Sequence, residues 1–285
     1  MEVEKPWYLR FYRMLFGVWT TASDRNIGLI SAGVAFFGMF AIFPAIAAVI
    51  AVFGLLADPV VVAEQLALMK DIIPSDAYAI LTGQIMRLLG ARGETLGWAT
   101  FVSIALALWA ARAGVAGLIG GLNEIAKRPP RNGIKQIVVA LTLTICLVAL
   151  AVTALFAVIV APIILAFAPL TEGNANVLEG VRWVVALVAL YAALSLLYRF
   201  GPNQRHARLR WFTIGAVTVI FLWIAASFGL SYYLSNFASY NEVYGSIGAV
   251  IGMLLWLYIT AYLILLGAAL NLHIHGKVAG DPVSE

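Results

Sequence analysis

The sequence predicts an all-α membrane bundle of six transmembrane helices, with an N-terminal interfacial helix and short external helices between the first two spans. Three observations predict it. Of 285 residues, 63% are hydrophobic and only 11% charged, whereas soluble domains carry about 45–50% and about 25%. Six stretches reach the roughly 20 apolar residues needed to cross a hydrocarbon core about 30 Å thick. Finally, the basic residues gather on alternate connections, as positive-inside topology requires.

The chain opens on a helix over residues 6–22. Trp7, Phe11, Met14, Leu15 and Val18 share one helical face, so the helix either lies in the membrane interface or packs on the bundle. Lys5, Arg10, Arg13 and Arg25 are not followed by a short apolar segment with a small-residue cleavage site. The expectation is a retained N-terminus and a first span at 27–57. Gly33, Phe36 and Gly38 precede Pro44 in that span. The proline lacks a backbone donor and predicts a kink or interruption, read as structural packing or as the border of a cavity. Residues 58–94 read as an external cap of two short amphipathic helices, Val61–Lys70 and Ala77–Leu89, parted at Pro74 with Ser75 or Asp76 capping the second.

The second span is placed at 95–115, with Arg112 near its cytoplasmic end as an interfacial anchor or an anion-binding cation. Gly114, Gly117 and Gly121 allow close helix approach. Pro129 and Pro130 break the loop 126–133 before a third span at 135–161. Gly173, Asn174 and Asn176 mark a turn before the fourth span, 181–199. The fifth and sixth spans are placed at 211–236 and 246–270. Between them lies a polar, aromatic corner containing Asn236, Tyr240, Asn241, Tyr244, Gly245 and Ser246, read as a re-entry corner or as part of a solute or lipid pathway. Gly245, Gly248 and Gly252 suit packing within one subunit and homo-oligomer contacts equally.

Charge orients these spans. Lys5, Arg10, Arg13, Arg25, Arg112, Lys127, Arg128, Arg131, Lys135, Arg199, Arg205, Arg208, Arg210 and Lys277 fall on one side, fourteen of the 18 basic residues. Positive-inside counting puts that side, with both termini, in the cytoplasm. An even number of spans independently requires both termini on one side. The net charge of +4 thus has a topological cause rather than a nucleic-acid one. The lone Cys146 excludes an internal disulfide, and His206, His273 and His275 lack ligand-spaced partners, so no metal or other cofactor is expected.

Three segments carry a family resemblance: GLISAGVAFFGMFAIFP at 28–44, YRFGPNQR at 198–205, and FASYNEVYGSIGAVIGMLLWLYITAYLILLGAALN at 237–271. Over residues 10–275 the chain resembles the YihY/BrkB family of bacterial inner-membrane proteins, formerly labelled ribonuclease BN. The resemblance implies a single membrane domain over 1–285. It aligns Gly33, Phe36 and Pro44 with the family's first-span pattern, and Pro202, Asn203 and Arg205 with its cytoplasmic loop pattern. Tyr240, Asn241, Tyr244, Gly245 and Ser246 align with the outer corner. Ala269 stands where the family commonly has an acid, within Gly267–Ala268–Ala269–Leu270–Asn271.

A ribonuclease would need metal ligands or an acid-base set, and the sequence supplies neither pattern, so enzymatic activity is not expected. The leading expectation is a transporter or translocator of a lipid-related or other anionic envelope molecule. No phosphate-cradling loop is present for direct ATP coupling. Arg112, Asn203, Arg205, Asn236, Tyr240, Asn241, Tyr244 and Ser246 are the pathway or ligand candidates. Gly33, Phe36, Pro44, Pro202, Gly245, Gly248 and Gly252 are the hinge or packing candidates. The alternative is a membrane scaffold or envelope-assembly factor, and the expected partners are membrane lipids, not nucleic acid.

Overall fold

The structure is a computed structural model that describes residues 7–56, 94–166, 172–203, 212–236 and 246–275. Residues 58–93 of the 58–94 external cap, with Arg205, Tyr240, Asn241, Tyr244 and Gly245, lie outside these residues. Seven α-helices account for almost everything described: α1 Trp7–Asp24, α2 Ile27–Leu56, α3 Glu94–Ile125, α4 Gly133–Ala166, α5 Glu172–Phe200, α6 Ile214–Asn236 and α7 Ser246–His275. Five helices carry apolar spans, and a pair bent by 61°, Tyr12–Asp24 with Ile27–Ile42, makes up a sixth if counted as one crossing. Only 17% to 22% of each of the five straight spans is buried. Helices this apolar can leave such surfaces uncovered only where lipid meets them, so the chain is a polytopic membrane protein.

Local chemistry sets the helix ends. Asn26 adopts a left-handed φ of 49° between α1 and α2, a conformation asparagine tolerates better than most residues. At the end of α3, the Arg128 N–H donates to the Asn123 carbonyl (2.9 Å) and the Lys127 N–H to the Glu124 carbonyl (3.2 Å). With Lys127 at φ 51°, this is a Schellman-type ending. Pro129 and Pro130 then prevent the helix from resuming. Thr213 caps α6, its Oγ1 accepting from the Ala216 N–H at 3.4 Å.

Several sequence expectations change. Of the kink or interruption expected at Pro44, the interruption is absent: α2 continues across it as one helix, since a span in lipid loses less by forgoing one donor than by ending. Gly173, Asn174 and Asn176 lie inside the first turns of α5 rather than in a turn before it. On α1, Val18 is buried but Leu15 is half-exposed, so the two do not share the packed face. Val18 and Ala22 enter the core, while Tyr8, Tyr12, Phe16 and Trp19 remain exposed on another face. The largest shift is in α3. It continues ten residues past 115, the expected end of its span, because Leu118, Ile119, Leu122 and Ile125 find buried neighbours.

Packing divides the chain into two units, Met1–Gly38 with Arg112–Glu285, and Met39–Ala111. In the second unit, Trp98 and Phe101 meet edge-on at 6.1 Å and both are exposed. The first unit holds the main core, where Val18 and Ala22 of α1, Ile27 of α2 and Leu118, Leu122 and Ile125 of α3 pack together. Leu194, Leu197 and Tyr198 of α5, Ala216 and Val219 of α6, and Ala261, Leu265 and Ala269 of α7 complete it. Most of these residues lie toward the helix ends that adjoin the basic α3–α4 and α5–α6 connections, here called the basic end.

Candidate functional site

At the basic end, two connections are joined by hydrogen bonds. Helix α5 ends at Phe200, and its last carbonyls lack intrahelical donors. The Arg131 guanidinium supplies them: Nη1 donates to the Gly201 carbonyl (2.6 Å), and Nη2 to those of Phe200 (3.0 Å) and Pro202 (2.7 Å). A planar fork of donors suits three converging carbonyls, and a positive charge suits a helix C-terminus. Partial burial lowers the Arg131 pKa from its ordinary value through desolvation, yet an arginine remains protonated.

Asn203 completes the joint. Its backbone N–H donates to Asn123 Oδ1 at 2.8 Å, and its Nδ2 to the Pro129 carbonyl at 3.0 Å. This pathway candidate therefore ties the α5 terminus to α3 and the α3–α4 connection. Pro202 is buried beside it. Nearby, Arg25 pairs with Glu124 at 3.9 Å. That distance, with both side chains accessible, makes a weak pair.

A second polar seam joins α5, α6 and α7. Gly215 and Gly267 bring α6 and α7 so close that a Cβ on Gly215 would strike the Gly267 carbonyl. Asn271 Oδ1 accepts from the Gly215 N–H at 2.8 Å, answering one of the orphan donors at the start of α6. Tyr198, 1% exposed, donates to the Ile264 carbonyl at 2.7 Å. The Thr213 N–H donates to the Tyr191 hydroxyl at 3.2 Å. Farther along, Trp223 Nε1 donates to Thr260 Oγ1 at 3.0 Å. On α1, the Thr21 hydroxyl and His273 Nε2 share a hydrogen bond at 3.0 Å, with the His273 ring against Gly17.

Arg112 lies farther along α3. The apolar span of α3 is Phe101–Ile125, and Arg112 is the twelfth of its 25 residues. Ile125 is thirteen positions farther on, roughly 20 Å of helix at about 1.5 Å per residue. Its side chain is half-buried and its Nε is enclosed. By length and composition, the residue read as an interfacial anchor or an anion-binding cation thus falls within an apolar helical stretch that continues to Ile125.

The remaining candidates fall out as follows. Gly33 is exposed with no neighbour near a would-be Cβ, and Phe36 is exposed. Gly252 is buried and Gly248 half-buried in α7. Asn236 ends α6 and Ser246 begins α7. The α3 glycines do serve close approach, a Cβ on Gly117 falling 3.0 Å from Val34 and one on Gly121 2.8 Å from Leu265. Arg131, Asn123, Gly215, Gly267 and Asn271 were not singled out from sequence as functional residues. Only Gly267 and Asn271, inside a recognised motif, carried a usable signal. Among the described residues, no group of three His, Cys, Asp or Glu side chains could hold a metal ion.

Comparison with known proteins agrees with this architecture. YfkH of Bacillus subtilis (strain 168), whose name calls it ribonuclease-like, is 27% identical over 276 residues, covering 94% of this chain and 96% of that protein. UPF0761 membrane proteins of Xanthomonas campestris pv. campestris (strain B100) and Xanthomonas axonopodis pv. citri (strain 306) are each 36% identical over 89 residues. Those matches cover 31% of this chain and 21% of each relative. No solved structure matches the chain. The family described as "Virulence factor BrkB" matches residues 18–283, nearly the whole sequence, and the chain belongs to that BrkB membrane-protein family.

Proposed function

We propose that the chain is a translocator, without direct ATP coupling, that moves an anionic lipid-related or envelope molecule across the membrane, with both termini in the cytoplasm. The observation that carries this reading is Arg112. A charge near mid-span is costly, and intramembrane arginines commonly face a bundle interior or a water-filled path. An anionic head group crossing the bilayer needs a counter-charge at that depth. The basic end, with Lys127, Arg128 and Lys135 exposed, would gather anions at its entrance.

The test is reconstitution of the full chain in liposomes holding fluorescent phosphatidylglycerol, phosphatidic acid or a labelled polyprenyl phosphate, with dithionite quenching reporting movement. The unaltered chain speeds movement of at least one probe. Arg112→Ala slows it by about tenfold or more, and Arg112→Lys retains part of the rate. Liposomes with correctly inserted protein that behave like empty ones for every probe would reject translocation. A second reading, a membrane scaffold, draws on the rigid hydrogen-bonded joint at the basic end and predicts that negative result.

A further inference from the structure

The stripe of α3 that carries Arg112 continues through Ala116 and Ile119 to Asn123, at steps of four, three and four residues that keep one helical face. Ile119, fully buried, packs with Ala140 and Leu143 of α4, and Val115, Ala116, Val139 and Phe200 close around them. This apolar knot is separate from the main core. α3 and α4 are antiparallel neighbours across a short connection. One turn nearer that connection along each helix stand Asn123 on α3 and Gln136 on α4. Asn123 is 3% exposed, and its Nδ2, like Gln136 Oε1, is buried without a hydrogen-bond partner. Buried amide atoms left unpaired cost about 1–3 kcal/mol each, so both atoms are open to a further polar partner.

The order along the stripe is thus a charge at mid-span, an apolar knot, and two amides with spare hydrogen-bonding capacity at the basic end. We propose that Ile119, Ala140, Leu143 and Phe200 form the inner barrier of the anion path, and that Asn123 and Gln136 line its mouth. The proposal rests on the translocation reading and specifies where that path is closed. An apolar constriction blocks ions and polar head groups because it holds no water to solvate them. Asn123 Nδ2 offers an acceptor-bearing head group a first donor before the knot parts, Gln136 Oε1 can accept from a hydroxyl of the same head group, and Arg112 receives the charge beyond it.

Thiol accessibility tests the barrier. In a full-length Cys146→Ser chain carrying Arg112→Cys, a membrane-impermeant anionic methanethiosulfonate is added to the side bearing the α3–α4 connection. Labelling is slow, and adding Ile119→Ala speeds it by about tenfold or more. Phe200→Ala carries the same expectation should Ile119→Ala not be recovered from membranes. Leu118→Ala, on the neighbouring face and part of the main core, leaves the rate unchanged. An unchanged rate in the barrier variants, or equal acceleration by Leu118→Ala, overturns the proposal. The labelling ratio judges the barrier, and lipid movement by the unaltered chain judges the path, so the two fail separately.

Discussion

Arg131 shows how one side chain fixes a helix end that the backbone alone leaves unfinished. Its fork serves three carbonyls at the α5 terminus, and those carbonyls would otherwise depend on water at a partly buried site. Arg131→Ala is expected to destabilise the chain by about 1–3 kcal/mol, read as thermal unfolding in detergent. Arg131→Lys should recover less than half of that loss, because an ammonium cannot reproduce the planar fork. Equal stability of the Lys variant and the native chain would show that charge, rather than geometry, holds the joint. Asn203 illustrates the limit of sequence at this scale. The family pattern drew attention to it, but its partners Asn123 and Pro129 lie 80 and 74 positions away, and no local spacing encodes them.

Among the elements, the α6–α7 crossing depends on two glycines at its closest point, with the Trp223–Thr260 hydrogen bond farther along. A Cβ on Gly267 would press into Val219 and the Tyr198 hydroxyl, and one on Gly215 into the Gly267 carbonyl. Gly267→Ala must therefore part the helices or displace Tyr198 from the Ile264 carbonyl, a strain of about 1–3 kcal/mol or more. Gly229→Ala on the same α6 meets nothing within 4 Å and should be neutral or stabilising by up to about 1 kcal/mol, since alanine favours the helix. Similar melting shifts for both variants would refute the crossing. The helices themselves were legible in the sequence because lipid dictates their length and apolarity. The boundary of α3 was not, because a charge at Arg112 lowers local hydropathy while the backbone hydrogen-bond ladder continues through it. At Pro44 the helix is not interrupted, because a local breaker is outweighed where an ended helix would leave polar backbone in hydrocarbon.

For the molecule as a whole, the charge pattern and the helix order constrain each other. α1 and α2 meet at a 61° bend, so α1 is poised to lie oblique to a spanning α2 and to place its exposed Tyr8, Tyr12, Phe16 and Trp19 at the interface. With the 30-residue α2 as the first crossing and α1 along the interface, the count is six, and six crossings return the chain to its starting side. The basic α3–α4 connection should then share the cytoplasm with the N-terminus, while the start of α5 faces outward. In a Cys146→Ser chain, Asn132→Cys is expected to react with an impermeant maleimide only in inverted vesicles, and Asn174→Cys only in right-side-out vesicles. Reaction of both from one side would remove the crossing formed by α4. Reaction of Asn132→Cys from outside alone would keep the helices and reverse the orientation, placing the proposed inner barrier at the opposite face. The positive-inside excess makes that reversal the costlier arrangement, since Arg128, Arg131 and Lys135 would have to cross the membrane together during insertion.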